Sequence, residues 1–137
     1  MMRRLFFVSI LFLGLIFTSV AGAADIKLMY FYEKGCNWCA LMDNVLNDPS
    51  IRGILQQDTN VLKIDVHGVE RIKGEGLTGS ELAKKYGIRG TPTVIFLSAQ
   101  GKELLRIPGA VTRDDFNDLL CNYVSGVKCK NNDCISR

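Results

Sequence analysis

The stretch that decides the fold reads IKLMYFYEKGCNWC, from Ile26 to Cys39. Its first seven residues, up to Tyr32, are mostly apolar and rich in aromatic side chains, which is typical of a strand buried on both faces. That pattern then stops, and from Trp38 onward apolar residues recur at helical spacing. The sequence therefore predicts a strand that leads into a helix beginning at or just after Cys36.

The segment Cys36-Asn37-Trp38-Cys39 places two cysteines at this predicted helix start. Sulfurs at that spacing come close enough to form a small-ring disulfide. A helix N-terminus stabilises a thiolate through its unpaired N–H groups and its dipole, so we expect Cys36 to be a nucleophile. Cys39, one turn further along, is expected to be the resolving thiol that attacks a mixed disulfide.

Two other interpretations of the cysteine pair remain open at this point. The pair could be half of a zinc site completed by Cys129, Cys134 or His67, although zinc usually draws on two closely spaced ligand pairs. It could also be a purely structural disulfide, although so small a ring adds little chain-entropy stabilisation.

Downstream of the motif, helices and strands are predicted to alternate and then to end in a hairpin and a last helix. The order β-α-(short α)-β-α-β-β-α predicts an α/β fold with one domain, whose central mixed β-sheet has about four strands and helices on both faces. The predicted elements are a short helix from Pro49 to about Leu55, strands at 61–66, 93–97 and 103–107, and helices capped by Thr78 and Thr112.

Composition is that of an ordinary globular chain. Its 137 residues allow one domain with a single core, and the hydrophobic and charged fractions are 47% and 23%. The net charge of +3 includes Arg3 and Arg4, without which 15 basic residues face 14 acidic ones. Because so balanced a surface does not track phosphates, we expect no nucleic-acid partner.

The N-terminal segment has the three-part pattern of a secretory signal peptide. A basic start is followed by an uncharged apolar run at 5–20 and by small residues at 21–24. The run is shorter than the roughly 20 residues that a membrane-spanning helix needs, so we predict cleavage after Ala23 or Ala24. An uncleaved anchor would leave the same domain outside the membrane. The predicted organisation is a signal peptide at 1–24, a globular domain at 25–125 and a cysteine-containing polar tail at 126–137.

Three further cysteines lie near the C-terminus. Cys121 falls on the last predicted helix, off its apolar stripe, and Cys129 and Cys134 lie on the polar tail. An exported chain can hold disulfides, and we expect a structural one between Cys129 and Cys134, or between Cys121 and one tail cysteine. A second redox relay and a covalent dimer are the alternatives. The predicted apolar stripe consists of Phe116, Leu119, Leu120, Tyr123 and Val124.

A second motif, KYGIRGTPT from Lys85 to Thr93, leads directly into a predicted strand. Combined with the CxxC, it closely resembles the thioredoxin family, and the resemblance covers residues 26–124. It implies the thioredoxin fold, with Cys36 and Cys39 as the redox-active disulfide and Pro92 as the cis-proline beside it. It also implies that Trp38, Thr91 and Pro92 contact the substrate, the Thr91 backbone pairing with an extended chain.

Some positions depart from the cytosolic members of that family. The buried acidic residue of those proteins is replaced by Tyr30, and their buried lysine aligns with Val61, so the usual proton acceptor for Cys39 is missing. Water is a sufficient acceptor. Glu33 could approach the site, but we expect both Glu33 and His67 to be solvated loop residues.

Other features are similar to the exported SoxW-type thioredoxins and, more loosely, to periplasmic disulfide reductases and isomerases. They are the aromatic residue between the cysteines, the Asp48-Pro49 helix, the polar loop from His67 to Gly76, and the Thr-Pro dipeptide. This resemblance implies a periplasmic or secreted monomer that reduces disulfides in exported proteins without a cofactor or a metal. A membrane electron carrier of the DsbD or CcdA kind would recharge it.

Two alternative functions use the same fold. One is a protein disulfide oxidase or isomerase, because the Asn37-Trp38 dipeptide does not reveal the direction of electron flow. The other, from a different class, is a copper-binding or metal-delivery module. That module would need a soft ligand facing the CxxC, and residues 89–91 offer none.

Overall fold

The computed structural model describes residues 26–127, which form a four-stranded mixed sheet and four helices. The predicted fold class and order of elements are confirmed. The strands are β1 (Ile26–Tyr32), β2 (Thr59–Asp65), β3 (Thr93–Ser98) and β4 (Glu103–Pro108). The helices are α1 (Asn37–Asn47), α2 (Pro49–Asp58), α3 (Gly79–Lys85) and α4 (Arg113–Tyr123).

The sheet has the strand order β2-β1-β3-β4, with β1 parallel to β2 and antiparallel to β3. β3 and β4 form an antiparallel hairpin, as predicted. Because β1 and β2 are parallel, their carboxyl ends meet at one edge of the sheet, and antiparallel β3 begins at that same edge. We call this the C-terminal edge, and the loops that lie there come from three separate parts of the chain.

Strand β1 is the centre of the protein and is buried on both faces, which confirms the prediction. Its alternate side chains enter two separate apolar clusters. Leu28 and Tyr30 pack with side chains of α1, α2 and α4, whereas Met29 and Phe31 pack with α3. Each large apolar side chain buried in this way contributes about 1.5–3 kcal/mol to stability.

The helices begin at the residues that the sequence indicates. Asp48 caps α2 by accepting hydrogen bonds from the N–H groups of residues 50 and 51, and Pro49 is the first helical residue. Thr78 and Glu81 form a reciprocal capping box at α3. Thr112 caps α4, its hydroxyl accepting from the N–H of residue 115.

Three details differ from the expectations. β2 begins at Thr59, two residues before the predicted start, and α2 extends to Asp58 rather than to about Leu55. Tyr123, predicted to lie on the apolar stripe of α4, is 60% exposed. The helix ends at this residue, and the chain turns Val124 instead onto the core.

A long connection between β2 and α3 contains the predicted polar loop. Lys27 of β1 forms an ion pair with Glu75 in this loop, and an isolated bridge joins residues 71 and 78. The start of α3 lies directly against the end of β2. A Cβ atom on Gly79 would be only 2.0 Å from the carbonyl oxygen of Asp65, so this contact requires glycine.

No helix within residues 26–127 is long and apolar enough to cross a membrane. The predicted signal peptide, Cys129 and Cys134 lie outside the residues that the structure describes.

Candidate active site

The two cysteines of the CxxC motif form a disulfide at the start of α1. Their Cα atoms are 5.2 Å apart, and Cys36 is the N-cap residue of the helix. Cys36 is partly exposed, whereas Cys39 is only 3% exposed and is covered by the core. A thiol or disulfide that approaches from solvent therefore reaches the sulfur of Cys36 first.

The helix N-terminus acts directly on the sulfur of Cys36. The backbone N–H of Cys39 donates a hydrogen bond to Cys36 Sγ at 3.1 Å. In the reduced protein, this donor and the positive end of the helix dipole favour a thiolate at Cys36 over a neutral thiol.

The loop before β3 faces the same sulfur. The Thr91–Pro92 peptide bond is cis, and Pro92 is buried. The carbonyl oxygen of Thr91 lies 3.9 Å from Cys36 Sγ, and the Thr91 hydroxyl lies 3.8 Å from it. In the disulfide form Cys36 carries no hydrogen, so the carbonyl can accept a hydrogen bond from it only after reduction. The hydroxyl of Thr93 donates to the carbonyl oxygen of Gly90 at 2.8 Å, which fixes the loop.

Glu33 is a loop residue with its side chain 43% exposed, as expected, but it also contacts the site. Its Oε1 accepts a hydrogen bond from the Thr91 hydroxyl at 2.8 Å. Its Oε2 lies 3.2 Å from Nε2 of His67. The hydrogen bond from Thr91, and then that from His67, lower the pKa of Glu33 below its ordinary value, so the carboxylate is ionised at neutral pH. His67 lies on the surface, as expected, with its side chain 75% exposed, yet it is in contact with Glu33.

The topology explains why these residues meet. Glu33 follows β1, His67 follows β2 and Thr91 precedes β3, so all three lie at the C-terminal edge of the sheet. The sequence separations of 34 and 58 residues hide this proximity. A sequence signal for this proximity does exist, because each of the three residues lies next to a predicted strand end.

Tyr30 occupies the position of the family's buried acid, directly beneath the redox pair. Its hydroxyl donates to the carbonyl oxygen of Cys39 at 2.9 Å, and the residue is 1% exposed. Burial, and next the negative charge of Asp43, raise the pKa of Tyr30 above its ordinary value of about 10, so the phenol stays neutral. A neutral phenol that already donates to a carbonyl group is not a base for Cys39.

A lysine lies beside Tyr30, although it is not at the position that the family alignment suggests. Val61 pairs with Leu28 and is 47% exposed, whereas Lys63 pairs with Tyr30. The ammonium group of Lys63 lies 5.5 Å from the centre of the Tyr30 ring and 2.7 Å from Oδ1 of Asp43. Sequence reasoning missed this Tyr30–Asp43–Lys63 group.

Two large apolar side chains on α1 remain exposed next to the disulfide. Trp38, predicted to contact the substrate, is 65% exposed, and Leu41 is 51% exposed. Both residues belong to the apolar pattern of the predicted helix. The other members of that pattern pack in the core, namely Met42, Val45 and Leu46, whereas Trp38 and Leu41 lie outside the core clusters. They form an apolar surface beside the exposed sulfur.

Three cysteines lie outside the CxxC motif in the sequence. Cys121 of α4 is partly buried and disulfide-bonded. Cys129 and Cys134 lie outside the described residues, so the expected pairing between them and the alternative that joins Cys121 to one of them both stay predictions. Between residues 26 and 127, no three histidine, cysteine or acidic side chains are grouped so that they could hold a metal ion.

Fold and site together define a thiol–disulfide oxidoreductase. The chain belongs to the thioredoxin-like domain family, whose sequence model matches residues 16–123. It is similar to a thioredoxin from Thermus thermophilus, with 30% identity and a TM-score of 0.56 over 66% of this chain and 67% of that one.

Two further solved structures resemble it. A mutant thioredoxin from Halobacterium salinarum is 28% identical, with a TM-score of 0.53 over 76% of this chain and 79% of that one. The DsbH oxidoreductase is 20% identical, with a TM-score of 0.53 over 64% of this chain and 65% of that one, a likeness that shows the fold alone. No curated protein sequence matches the chain.

Proposed function

We propose that the protein is an exported reductase that passes electrons from its Cys36/Cys39 dithiol to disulfides in other exported proteins. The observation that carries this proposal is the asymmetry of the pair. Cys36 caps a helix and faces solvent beside the Thr91–Pro92 loop, whereas Cys39 is buried one turn behind it.

The reaction proceeds by two thiol–disulfide exchanges. In the first, the Cys36 thiolate attacks one sulfur of the substrate disulfide, a mixed disulfide forms, and the other substrate sulfur leaves as a thiolate. In the second, Cys39 loses its proton to water and attacks Sγ of Cys36, which releases the second substrate thiolate. Both substrate thiolates take up protons from water. The substrate gains two electrons and two protons, and the protein retains the Cys36–Cys39 disulfide.

The surface around Cys36 suits an extended or partly unfolded substrate. Trp38 and Leu41 provide exposed apolar area beside the sulfur, and aromatic side chains of this kind are frequent anchors of protein contacts. We infer that the substrate chain runs between this surface and the backbone of Thr91.

Three finer parts of the proposal rest on the sequence and the resemblances. The basic and apolar pattern at residues 1–24 supports export. The similarity to a protein described as a thioredoxin supports reduction rather than oxidation. The SoxW-type features support a membrane electron carrier of the DsbD or CcdA kind, which would return the disulfide of this monomeric reductase to the dithiol.

The reduction potential of the Cys36/Cys39 pair tests the direction of electron flow. We expect equilibration with a dithiothreitol series to give a value near the thioredoxin value of about −270 mV. A value near −120 mV, as in the oxidant DsbA, would instead make the protein an oxidase and overturn the proposal.

The roles of the two cysteines are tested by trapping. Cys39→Ala should accumulate a mixed disulfide with oxidised protein substrates, visible on a non-reducing gel and removed by dithiothreitol. Cys36→Ala is the matched control and should form none and reduce no insulin. Insulin reduction by the Cys36→Ala protein would remove the proposed mechanism altogether.

A further inference from the structure

A chain of polar contacts leads from the exposed sulfur to the surface of the protein. The Thr91 hydroxyl lies between Cys36 Sγ, at 3.8 Å, and Glu33 Oε1, at 2.8 Å. The other oxygen of Glu33 faces His67 at 3.2 Å. Neither Glu33 nor His67 touches the sulfur itself in these contacts, so any effect of Glu33 on Cys36 passes through Thr91 or through space.

The Thr91 hydroxyl has only one hydrogen to donate. A carboxylate at 2.8 Å is a much better acceptor than a sulfur at 3.8 Å, because charge-assisted hydrogen bonds are shorter and about twice as strong as neutral ones. The hydrogen therefore points toward Glu33, and an oxygen lone pair is left facing Cys36. A thiolate at Cys36 then meets the electron-rich side of the hydroxyl and has a carboxylate one group further away.

We propose that Glu33 is a positioning residue, which holds the Thr91 hydroxyl away from Cys36 and thereby biases the cysteine pair toward its disulfide form. His67 supports this arrangement by occupying the second oxygen of Glu33, which leaves Oε1 for Thr91. Nothing in the arrangement requires Glu33 to accept a proton.

The consequence is a stronger reductant. Stabilising the reduced form of a CxxC pair makes it a stronger oxidant, as in DsbA, and the opposite change makes it a better electron donor. Glu33 opposes the N–H of Cys39, which stabilises the same thiolate from the helix side. The position of the Thr91 hydrogen thus changes the reduction potential of the Cys36/Cys39 pair without any change in the helix or in the disulfide.

The test measures the reduction potential and the pKa of Cys36 in Glu33→Gln. The amide oxygen of glutamine is a weaker acceptor than a carboxylate, so the hydroxyl is held less strongly and can donate to the thiolate, and the neighbouring anion is removed. Both changes stabilise the thiolate. We expect the equilibrium constant for reduction of the protein disulfide to rise about threefold to tenfold, which is about 14–30 mV toward more positive potentials. The thiolate absorbance of Cys36 should titrate at a lower pH than in the wild type.

Asp118→Asn is the matched control, because it removes one carboxylate from the exposed side of α4. It should leave both readouts unchanged. An equal shift in Asp118→Asn would show that only net charge matters and would overturn the proposal, as would an unchanged potential in Glu33→Gln.

A double-mutant cycle with Thr91→Val separates positioning from direct electrostatics. Valine keeps the shape of threonine but has no hydroxyl to orient. If Glu33 acts through Thr91, Glu33→Gln should shift the potential by less than half as much in the Thr91→Val background. A shift of half or more in that background would assign the effect to charge through space and overturn the positioning role.

This inference is independent of the proposed direction of electron flow. It concerns the difference in potential between variants of the Cys36/Cys39 couple, whereas the proposed reductase function concerns the absolute value in the wild type. A wild-type potential in the range of an oxidase would defeat the reductase proposal and leave the variant comparison to decide the role of Glu33.

Discussion

Replacing Tyr30 by phenylalanine removes one oxygen atom from the core directly beneath the redox pair. The lost contact is the hydrogen bond of 2.9 Å from the phenol to the carbonyl oxygen of Cys39. That carbonyl belongs to α1, whose i→i+4 ladder also uses it, so the variant does not leave it without a donor. We therefore expect Tyr30→Phe to lose about 0.5–1.5 kcal/mol of unfolding free energy at pH 7, the net value of one hydrogen bond.

The same substitution should change how stability depends on pH. Burial keeps the pKa of Tyr30 above its ordinary value, so above pH 10 the unfolded chain loses this proton while the native protein keeps it. The native state then binds more protons, and the free energy of unfolding falls as the pH rises. By pH 11 this effect lowers the free energy of unfolding of the wild type by about 1.4 kcal/mol. Tyr30→Phe has no phenol at this position, so its free energy of unfolding is not lowered in this way. The stability gap between the two proteins should therefore close or reverse.

Urea unfolding of the oxidised proteins at pH 7, 9, 10 and 11, followed by far-ultraviolet circular dichroism, measures both effects. A gap that stays constant from pH 7 to pH 11 would refute the assignment of a raised pKa to Tyr30. The rate of the Cys39 step should have the same pH profile in both proteins. A changed profile would show instead that the phenol exchanges a proton with Cys39.

Two further predictions concern a backbone contact and the substrate surface. Gly79→Ala places a Cβ atom 2.0 Å from the carbonyl oxygen of Asp65, so backbone must shift and we expect a loss of about 1–3 kcal/mol in urea unfolding. Gly53→Ala is the control: it faces open space inside α2, where alanine should stabilise the protein by up to about 1 kcal/mol, and equal effects of the two substitutions would contradict the contact. Trp38→Ala should raise KM for insulin severalfold and leave the reaction with dithiothreitol unchanged, and loss of both activities would argue against a docking role for its exposed ring.

Local signals in the sequence were sufficient for most of the fold. The capping box of Thr78 and Glu81, and the Asp48-Pro49 helix start, depend on residues within one helical turn of each other. The burial of β1 on both faces follows from a run that is apolar apart from Lys27. Tyr123 shows the limit of this reasoning, because helical spacing does not reveal where the helix ends relative to the core.

The CxxC and its partner loop were also predictable, but the groups that surround them were not. Tyr30 and Lys63 lie opposite each other on paired strands, and the pairing register cannot be read from either strand alone. Glu33 and Thr91 come from loops 58 residues apart, and each resembles an ordinary polar loop residue in isolation. They meet because β3 pairs antiparallel with β1, so that the end of β1 and the start of β3 lie at the same edge. The parallel pairing of β1 with β2 brings His67 to that edge as well.

Cys36 is influenced by two kinds of group. One is placed by the local sequence of the helix start, and the other is placed by the topology of the sheet. The helix N-terminus makes the sulfur a nucleophile, and it does so through a backbone N–H group that any residue except proline at position 39 would supply. Glu33 and His67, by contrast, lie in loops beyond the ends of β1 and β2 and outside both core clusters. Substitutions there need not disturb the packing that positions the disulfide. The potential of the pair can therefore change through the loops of the C-terminal edge while the fold and the nucleophile stay the same.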